Sequence, residues 1–140
     1  MNEGMMIEGP NSDEWETPPW LFKALDAEFG FTLDVGANRK NALLATWVED
    51  ISALPTYQDG YKIFCNPPYS KIDTFISYLI NKESPSVLLL PARTDTNWFQ
   101  RIISGERKAE LRWFRKRIRF YLGGKESDSP RFSSFLCIWR

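Results

Sequence analysis

The segment Asn66-Pro67-Pro68-Tyr69 constrains this chain more than any other part of its sequence. It follows an apolar, strand-like run at 61–65 and precedes a helix-like run. Two consecutive prolines fix φ twice, remove two N–H donors and hold the residue before each of them extended. The loop is therefore stiff, and it presents the Asn66 amide oxygen and the Pro67 carbonyl as acceptors beside the Tyr69 ring. This arrangement suits a planar substrate that carries an NH₂ group, such as an adenine displaced from a duplex. An ordinary turn between a strand and a helix is the alternative.

Strand-like and helix-like runs alternate along the chain, with Thr17 as the expected N-cap of the first helix. The alternation predicts an α/β fold with a mostly parallel sheet, helices on both faces and an antiparallel C-terminal strand. We expect residues 1–12 to be a disordered tail and residues 13–140 to form a single domain. The segment 41–48 suits either a helix or a strand, and the Gly- and Ser-rich segment 123–134 predicts a mobile polar loop.

Ligands of parallel sheets bind beyond the carboxyl ends of the strands, and three predicted strands end near Gly36, Asn66 and Arg93. These residues are therefore expected on one rim. Gly36 allows a ligand to approach the backbone closely. Asp50, fourteen residues after Gly36, can accept hydrogen bonds from ribose hydroxyls, and a surface or helix-capping role is its alternative.

The composition excludes several classes of protein. The chain has no histidine, which removes the Ser-His and Cys-His nucleophile systems and the common zinc sites, so no metal is expected. No apolar run approaches the ~18 residues of a membrane span. The N-terminus lacks the apolar core and basic start of a secretory signal, so a cytoplasmic protein is expected. Cys65 and Cys137 lie in strand-like runs and are expected to be buried, reduced thiols.

Opposite charges are concentrated in different parts of a chain whose net charge is zero. Residues 1–60 contain eleven acidic and three basic residues, whereas residues 101–125 contain nine basic and two acidic residues. The basic segment predicts a surface for nucleic-acid phosphates, and a strand edge guarded by Lys and Arg is the alternative. The expected phosphate contacts are Arg112, Arg115, Lys116, Arg117, Arg119 and Lys125.

Four motifs occur in a fixed order between residues 13 and 139. They are Asp13-Glu14-Trp15-Glu16-Thr17-Pro18, Phe31-Thr32-Leu33-Asp34-Val35, Asn66-Pro67-Pro68-Tyr69-Ser70 and Leu89-Leu90-Pro91-Ala92-Arg93-Thr94-Asp95. Together they resemble the small phage-type DNA N6-adenine methyltransferases. The first and last motifs are more specific than the third, which many amino-methyltransferases share.

The resemblance implies a Rossmann-like methyltransferase fold and transfer of a methyl group from S-adenosylmethionine to the N6 amino group of adenine in DNA. A phage-encoded enzyme of this kind would work in the cytoplasm of the host cell. The catalytic loop would be formed by Asn66, Pro67, Pro68 and Tyr69. The expected cofactor contacts are Thr17, Pro18, Asp34, Gly36, Asp50 and Asn66, with Trp47 or Phe64 beside the adenine of the cofactor.

The chain departs from the resemblance in two ways. It has no insertion large enough for an ordinary DNA-recognition domain, which argues against strong sequence specificity and leaves the activity of the isolated chain open. Gly36 also stands where such loops often carry another small residue. Two alternatives remain: an amino-methyltransferase that acts on RNA or on a protein glutamine, and a non-catalytic, nucleic-acid-binding remnant.

Overall fold

A six-stranded sheet forms the centre of the structure, a computed structural model that describes residues 12–128 and 132–140. In chain order its strands are β1 (Leu33–Val35), β2 (Trp47–Val48), β3 (Ile63–Cys65), β4 (Ser86–Pro91), β5 (Glu110–Trp113) and β8 (Ser134–Trp139). A separate hairpin consists of β6 (Tyr121–Leu122) and β7 (Lys125–Glu126).

The strands of the six-stranded sheet are arranged in the order β2-β1-β3-β4-β8-β5. The first four are parallel, β8 is antiparallel to β4, and β5 is antiparallel to β8. The prediction of an α/β fold with a mostly parallel sheet and an antiparallel C-terminal strand is confirmed.

Helices cover both faces of the sheet, as predicted. On one face lie α2 (Ile72–Leu79) and α3 (Asn97–Ser104), and on the other lies α1 (Pro19–Phe29). Successive side chains of a strand point to opposite faces. Within β3, Ile63 and Cys65 therefore join the core beneath α2 and α3, whereas Phe64 joins the core beneath α1.

Strand β4 shows why the sequence folds in this way. All six of its residues are buried, because the strand is central and helices cover both of its faces. Helix α3 is capped by Thr96, whose hydroxyl oxygen accepts a hydrogen bond from the Phe99 N–H at 3.3 Å. Cys65 and Cys137 are buried and unpaired, as predicted, and burial raises the pKa of both thiols.

The parallel arrangement brings four carboxyl strand ends to one edge of the sheet. Val35 is paired with Val48 and with Cys65, so that Gly36 and Asn66 follow directly at neighbouring positions. The chain leaves β4 at the same edge, and the guanidinium carbon of Arg93 lies 5.8 Å from the centre of the Tyr69 ring. The predicted common rim of Gly36, Asn66 and Arg93 is therefore confirmed.

One local prediction is wrong and two are correct only in part. Pro18, not Thr17, is the residue that precedes α1, and the hydroxyl oxygen of Thr17 accepts a hydrogen bond from Asn66 instead. The segment 41–48 forms only the two-residue strand β2. The segment 123–134 is not simply a loop, because it includes β7 and the first residue of β8, and the turn before β7 is held by the carboxylate of Glu16.

The predicted N-terminal tail is tested only at its last position. Ser12 begins a short 3-10 helix, Ser12–Glu14, and residues 1–11 lie outside the described part of the chain. Among residues 12–128 and 132–140, no helix is long and apolar enough to cross a membrane. Within the same ranges, no cluster of His, Cys, Asp and Glu side chains has the arrangement of a metal site.

Candidate active site

The Asn-Pro-Pro-Tyr loop leaves the carboxyl end of β3 and enters the 3-10 helix Tyr69–Lys71, which continues into α2. Pro68 is extended, with φ −60° and ψ 133°. Pro67 is buried and Asn66 is half-buried. The two prolines and the helix that follows hold Asn66 at the edge of the sheet.

The side chain of Asn66 has a defined orientation. Its Nδ2 donates to the Thr17 hydroxyl oxygen at 3.0 Å and lies 3.4 Å from the Trp15 carbonyl oxygen. A carbonyl oxygen only accepts hydrogen bonds, so the NH₂ end of the amide must face Trp15. The Oδ1 end consequently points away from Trp15, and it accepts no hydrogen bond from the described residues.

The N-terminal segment is joined to this loop at a second point. Asp13 accepts hydrogen bonds from the Ser70 N–H at 2.8 Å and from the Ser70 hydroxyl at 2.5 Å. On its other side the segment pairs with β6, where the backbone N–H of Glu16 donates to the Tyr121 carbonyl at 2.8 Å. The segment 13–17 therefore connects the Asn-Pro-Pro-Tyr loop with the β6–β7 hairpin.

A polar cleft lies between the N-terminal segment, the loop after β1 and the loop after β3. Its enclosed volume is only about 30 Å³, so a larger ligand would lie mainly along its open side. Four predicted cofactor contacts line it together: Thr17, Asp34, Gly36 and Asn66. The other lining residues are Asp13, Trp15, Glu16, Ala37, Asn41 and Leu43.

Asp34 places a buried carboxyl group in the wall of this cleft. Only 4% of the residue is exposed, and its Oδ2 accepts a hydrogen bond from the Leu43 N–H at 2.8 Å. Burial raises the pKa of Asp34 to about 6, against the opposing effect of that hydrogen bond. A carboxylate whose charge is poorly solvated is a favourable partner for a cationic ligand, because the ligand restores the lost stabilisation.

Gly36 allows the loops to approach one another closely. Its φ of +89° lies in the region that favours glycine. A Cβ atom at this position would lie 3.2 Å from the Phe75 ring and 3.3 Å from the Asn66 carbonyl oxygen. The Gly36 N–H donates to the Val48 carbonyl at 2.7 Å, which ties the ends of β1 and β2 together.

Tyr69 is covered in this structure. It is 8% exposed, its ring meets Phe132 edge-to-face at 5.4 Å, and Arg93 lies over the same ring. The hydroxyl group is buried without a hydrogen-bond partner among the described residues, and burial raises its pKa. A base that stacks on Tyr69 would have to displace a neighbouring side chain, so the stacking role stays a prediction.

Two predicted cofactor contacts, Pro18 and Asp50, and both predicted aromatic contacts, Trp47 and Phe64, lie outside the cleft lining. Pro18 is buried at the start of α1. Asp50 accepts hydrogen bonds from the N–H and hydroxyl of Ser52, and these bonds lower its pKa. It thus caps the 3-10 helix Ile51–Thr56, as its alternative interpretation proposed, and its contact with a ribose stays a prediction. Phe64 is buried beneath α1, so it is not available to line a pocket.

The predicted phosphate contacts separate into two groups. Arg112 stands on the edge strand β5, where its guanidinium pairs with Glu28 at 2.7 Å and with Glu110 at 2.6 Å. Arg112 therefore has two carboxylate partners within the protein, which favours the alternative that it protects the edge strand of the sheet. The remaining five side chains are exposed and form no ion pair with a described residue: Arg115, Lys116, Arg117, Arg119 and Lys125.

Six residues of the cleft are not among the predicted cofactor contacts. Trp15 and Glu16 belong to the Glu-Trp-x-Thr-Pro motif, so the motif itself contained the signal for them. Asn41 forms a reciprocal turn with Asn38: the backbone N–H of each residue donates to the side-chain oxygen of the other, at 2.7 and 3.0 Å. The spacing of these asparagines favours such a local turn. Asp13 lies in the same motif as Trp15 and Glu16, whereas Leu43 gave no comparable signal.

Two comparisons of the sequence with known proteins identify the family of this chain. The chain is 27% identical to the DNA N-6-adenine-methyltransferase of Escherichia phage T1 over 120 residues, which cover 81% of this chain and 50% of the relative. The chain thus spans about half the length of the relative that it matches. The sequence model of the DNA N-6-adenine-methyltransferase (Dam) family matches residues 5–140. This chain therefore belongs to the DNA N-6-adenine-methyltransferase (Dam) family.

Proposed function

We propose that this protein transfers a methyl group from S-adenosylmethionine to the N6 amino group of adenine in DNA. The observation that carries the proposal is the fixed Asn66 amide, whose Oδ1 faces away from Thr17 and Trp15 beside a cleft that contains Asp34. Membership of the family supports the reaction, and the order of the parallel strands supports a Rossmann-like fold. We also propose that residues 13–140 act as one domain in the cytoplasm.

The donor groups of the cleft are compatible with the cofactor. S-adenosylmethionine, when bound, supplies a methyl group that is already activated by a positively charged sulphur. Asp34 offers a negative charge to the cationic methionine part, and the position of Gly36 leaves room for close approach along the backbone. Thr17 and Asn66 add polar groups to the same wall. Asp50, at the end of β2, is proposed as the ribose acceptor.

The catalytic loop would act on the substrate amino group. The lone pair of the adenine N6 is delocalised into the ring, so the nitrogen is a poor nucleophile. The Asn66 Oδ1 and the Pro67 carbonyl oxygen accept no hydrogen bond from the described residues, so both can accept from N6–H. Two such hydrogen bonds favour a more pyramidal nitrogen and orient its lone pair, and orientation alone can supply a large part of the rate. Tyr69 is proposed to hold the displaced base once Phe132 or Arg93 has moved.

Radiolabelled methyl transfer to DNA, RNA and protein, measured side by side, tests the proposed reaction. We expect labelling of DNA, with N6-methyladenine as the product after enzymatic digestion to nucleosides. Asn66→Ala is the inactive control. Labelling of RNA or of a glutamine-containing protein in preference to DNA would replace the proposed substrate. If S-adenosylmethionine bound but no substrate was labelled, the proposed transferase activity would be wrong for this chain.

A further inference from the structure

An exposed tryptophan and a group of basic side chains border one groove beside α1. The groove has a volume of about 680 Å³, within the ~300–1,000 Å³ that is usual for sites of small ligands. Its lining residues are Trp20, Phe114, Arg115, Lys116, Arg117 and Ile118. Trp20 is 55% exposed, whereas Leu21 and Phe22, which follow it, are buried. A large indole left in water next to a groove is typical of an interaction surface.

Packing fixes both sides of the groove. Trp20 is the second residue of α1, which is anchored in the core through Leu21, Phe22 and Leu25. The opposite side is anchored through Ile118 and Phe120, which are buried in the same core cluster. The groove is therefore already formed in the folded protein, so little ordering is needed when a ligand binds.

The basic side chains of the groove form no ion pair with a described residue. Arg115, Lys116 and Arg117 are exposed, and none of them pairs with a carboxylate of residues 12–128 or 132–140. Arg112, three residues before Arg115, has two carboxylate partners. Unpaired basic side chains around an exposed aromatic ring form the combination that binds single nucleic-acid strands, where phosphates follow the charges and a base stacks on the ring.

The groove lies close to the proposed catalytic loop. Trp20 is three positions after Thr17, whose hydroxyl contacts Asn66, and three positions of chain span at most about 11 Å. Successive bases in a duplex strand are about 3.4 Å apart, so this distance corresponds to a few nucleotides. A strand in the groove could therefore be continuous with a strand that presents a base to Asn66.

We propose that the groove between Trp20 and the segment 114–118 binds the DNA strand next to the target adenine. One base of that strand stacks on Trp20, and the adjoining phosphates contact Arg115, Lys116 and Arg117. This inference rests on the proposed function, because it identifies where the proposed DNA substrate is held outside the catalytic loop. The groove would thus combine a base-stacking site with a basic surface. We therefore expect it to prefer single strands, whose bases are free to stack, over duplex DNA, which offers only its phosphates.

Fluorescence anisotropy with a labelled single-stranded 12-nucleotide DNA tests the proposal. Trp20→Ala should weaken binding by about 5- to 150-fold, the usual loss for one stacked base, whereas Trp20→Phe should retain most of the affinity. A DNA that contains abasic positions should lose affinity for the wild-type protein and much less for Trp20→Ala. Ile103→Ala, which removes an equally exposed apolar side chain from α3, is the matched control.

The basic residues are tested by the dependence of affinity on salt. Arg115→Ala and Arg117→Ala should each lower the slope of log affinity against log salt by about one unit. Lys108→Ala is the control. Lys108 is exposed just before β5, at the amino ends of the parallel strands, whereas Asn66 lies at their carboxyl ends. If Trp20→Ala bound DNA as tightly as Ile103→Ala, or if abasic positions lowered the affinity of both proteins by the same factor, the stacking site would be disproved.

The experiments distinguish a failure of the proposed methyl transfer from a failure of the proposed groove. If the wild-type protein did not methylate DNA but lost strand binding through Trp20→Ala, the groove would stand as a nucleic-acid site without the transferase activity. If the wild-type protein methylated DNA while Trp20→Ala, Arg115→Ala and Arg117→Ala all bound it normally, the activity would stand and the groove would be wrong. Equal competition by polyglutamate and by intact single-stranded DNA would indicate an acidic protein partner and overturn the assignment to DNA.

Discussion

The Asn66 Nδ2 atom donates a hydrogen bond of 3.0 Å to the Thr17 hydroxyl oxygen across 49 positions of sequence. Thr17 therefore does not cap α1, although Thr before Pro is a common start of a helix. The local preference yields to a tertiary contact at the candidate active site, where such exceptions are expected. Thr17 has two possible roles, since it also lines the cleft: it orients the Asn66 amide, and it contacts the cofactor.

Substitution of Thr17 separates these two roles. Thr17→Val keeps the shape of the side chain but removes the acceptor for the Asn66 Nδ2. We expect kcat to fall several-fold to about tenfold, the effect of one neutral hydrogen bond, and Thr17→Ser to restore it. Steady-state methyl transfer should show little change in the KM for S-adenosylmethionine. An increase in that KM with kcat unchanged would instead assign Thr17 to the cofactor.

Asn66→Ala tests the catalytic role of the amide itself. The substitution removes the oriented acceptor that we propose acts in the transition state, so we expect kcat to fall by about 10²- to 10³-fold, by analogy with oxyanion-hole donors. Calorimetric binding of S-adenosylmethionine and thermal unfolding should change little. Asn81→Ala, at an exposed position after α2, is the matched control. Retention of most of the turnover by Asn66→Ala would exclude the proposed hydrogen bond.

The buried carboxyl group of Asp34 predicts a dependence on pH. Its pKa is raised to about 6 in the folded protein, so the group binds its proton more tightly when folded than when unfolded. The free energy of unfolding should therefore fall as pH rises from about 4 through about 6, by up to about 3 kcal/mol from this group. Asp34→Asn should remove the loss, making the variant more stable than wild type at pH 7.5 and similar at pH 4 in urea denaturation.

The same group should control cofactor affinity in the opposite direction. The charged form of Asp34 favours a cationic ligand, so the affinity for S-adenosylmethionine should rise as pH increases from 5 to 7. Calorimetry on the wild type and on Asp34→Asn measures this difference, and Asp26→Asn, an acid on α1 outside the cleft, is the control. Equal pH profiles for wild type and Asp34→Asn would remove Asp34 from the cofactor site.

The hydroxyl of Tyr69 has no hydrogen-bond partner among the described residues, which makes Tyr69→Phe informative. A buried hydroxyl without a partner costs about 1–3 kcal/mol, so its removal should leave stability unchanged or increase it by about 1 kcal/mol. The variant keeps the ring, and DNA methylation should therefore remain. Tyr69→Ala should lose both stability and activity, because it removes a buried ring. A large loss of activity in Tyr69→Phe would show that the hydroxyl itself contacts the substrate.

The elements that the sequence predicted well are those whose signals are local. The sequence predicts a buried strand over 86–90 and a short helix over 97–104, and the structure has β4 at Ser86–Pro91 and α3 at Asn97–Ser104. Strand β2 was not resolved from a helix, because two residues are too few to show a period. Gly123 and Gly124 predicted mobility, but both have positive φ, of 60° and 80°, and form the tight turn of a hairpin.

Residues of the candidate site could be predicted where they belong to a local motif. Contacts between segments that are far apart in the sequence could not. Asn66 and Asp34 were identified from the strands that they follow or belong to. The contacts of Asp13 and Glu16 were not, because their partners lie 57 or more positions away. Charge was similarly ambiguous: the count of basic residues could not tell that Arg112 pairs with carboxylates while Arg117 does not.

Arg112 and Arg117 should therefore respond in opposite ways to substitution. Arg112→Ala removes the pairs with Glu28 and Glu110, so we expect a small loss of stability in urea denaturation that shrinks at high salt. The salt slope of DNA affinity should not change. Arg117→Ala should leave stability unchanged and lower that slope by about one unit, since an exposed guanidinium without a carboxylate partner is available to a phosphate. The same reduction of the slope in both variants would mean that Arg112 exchanges its carboxylates for DNA, and would extend the binding surface along β5.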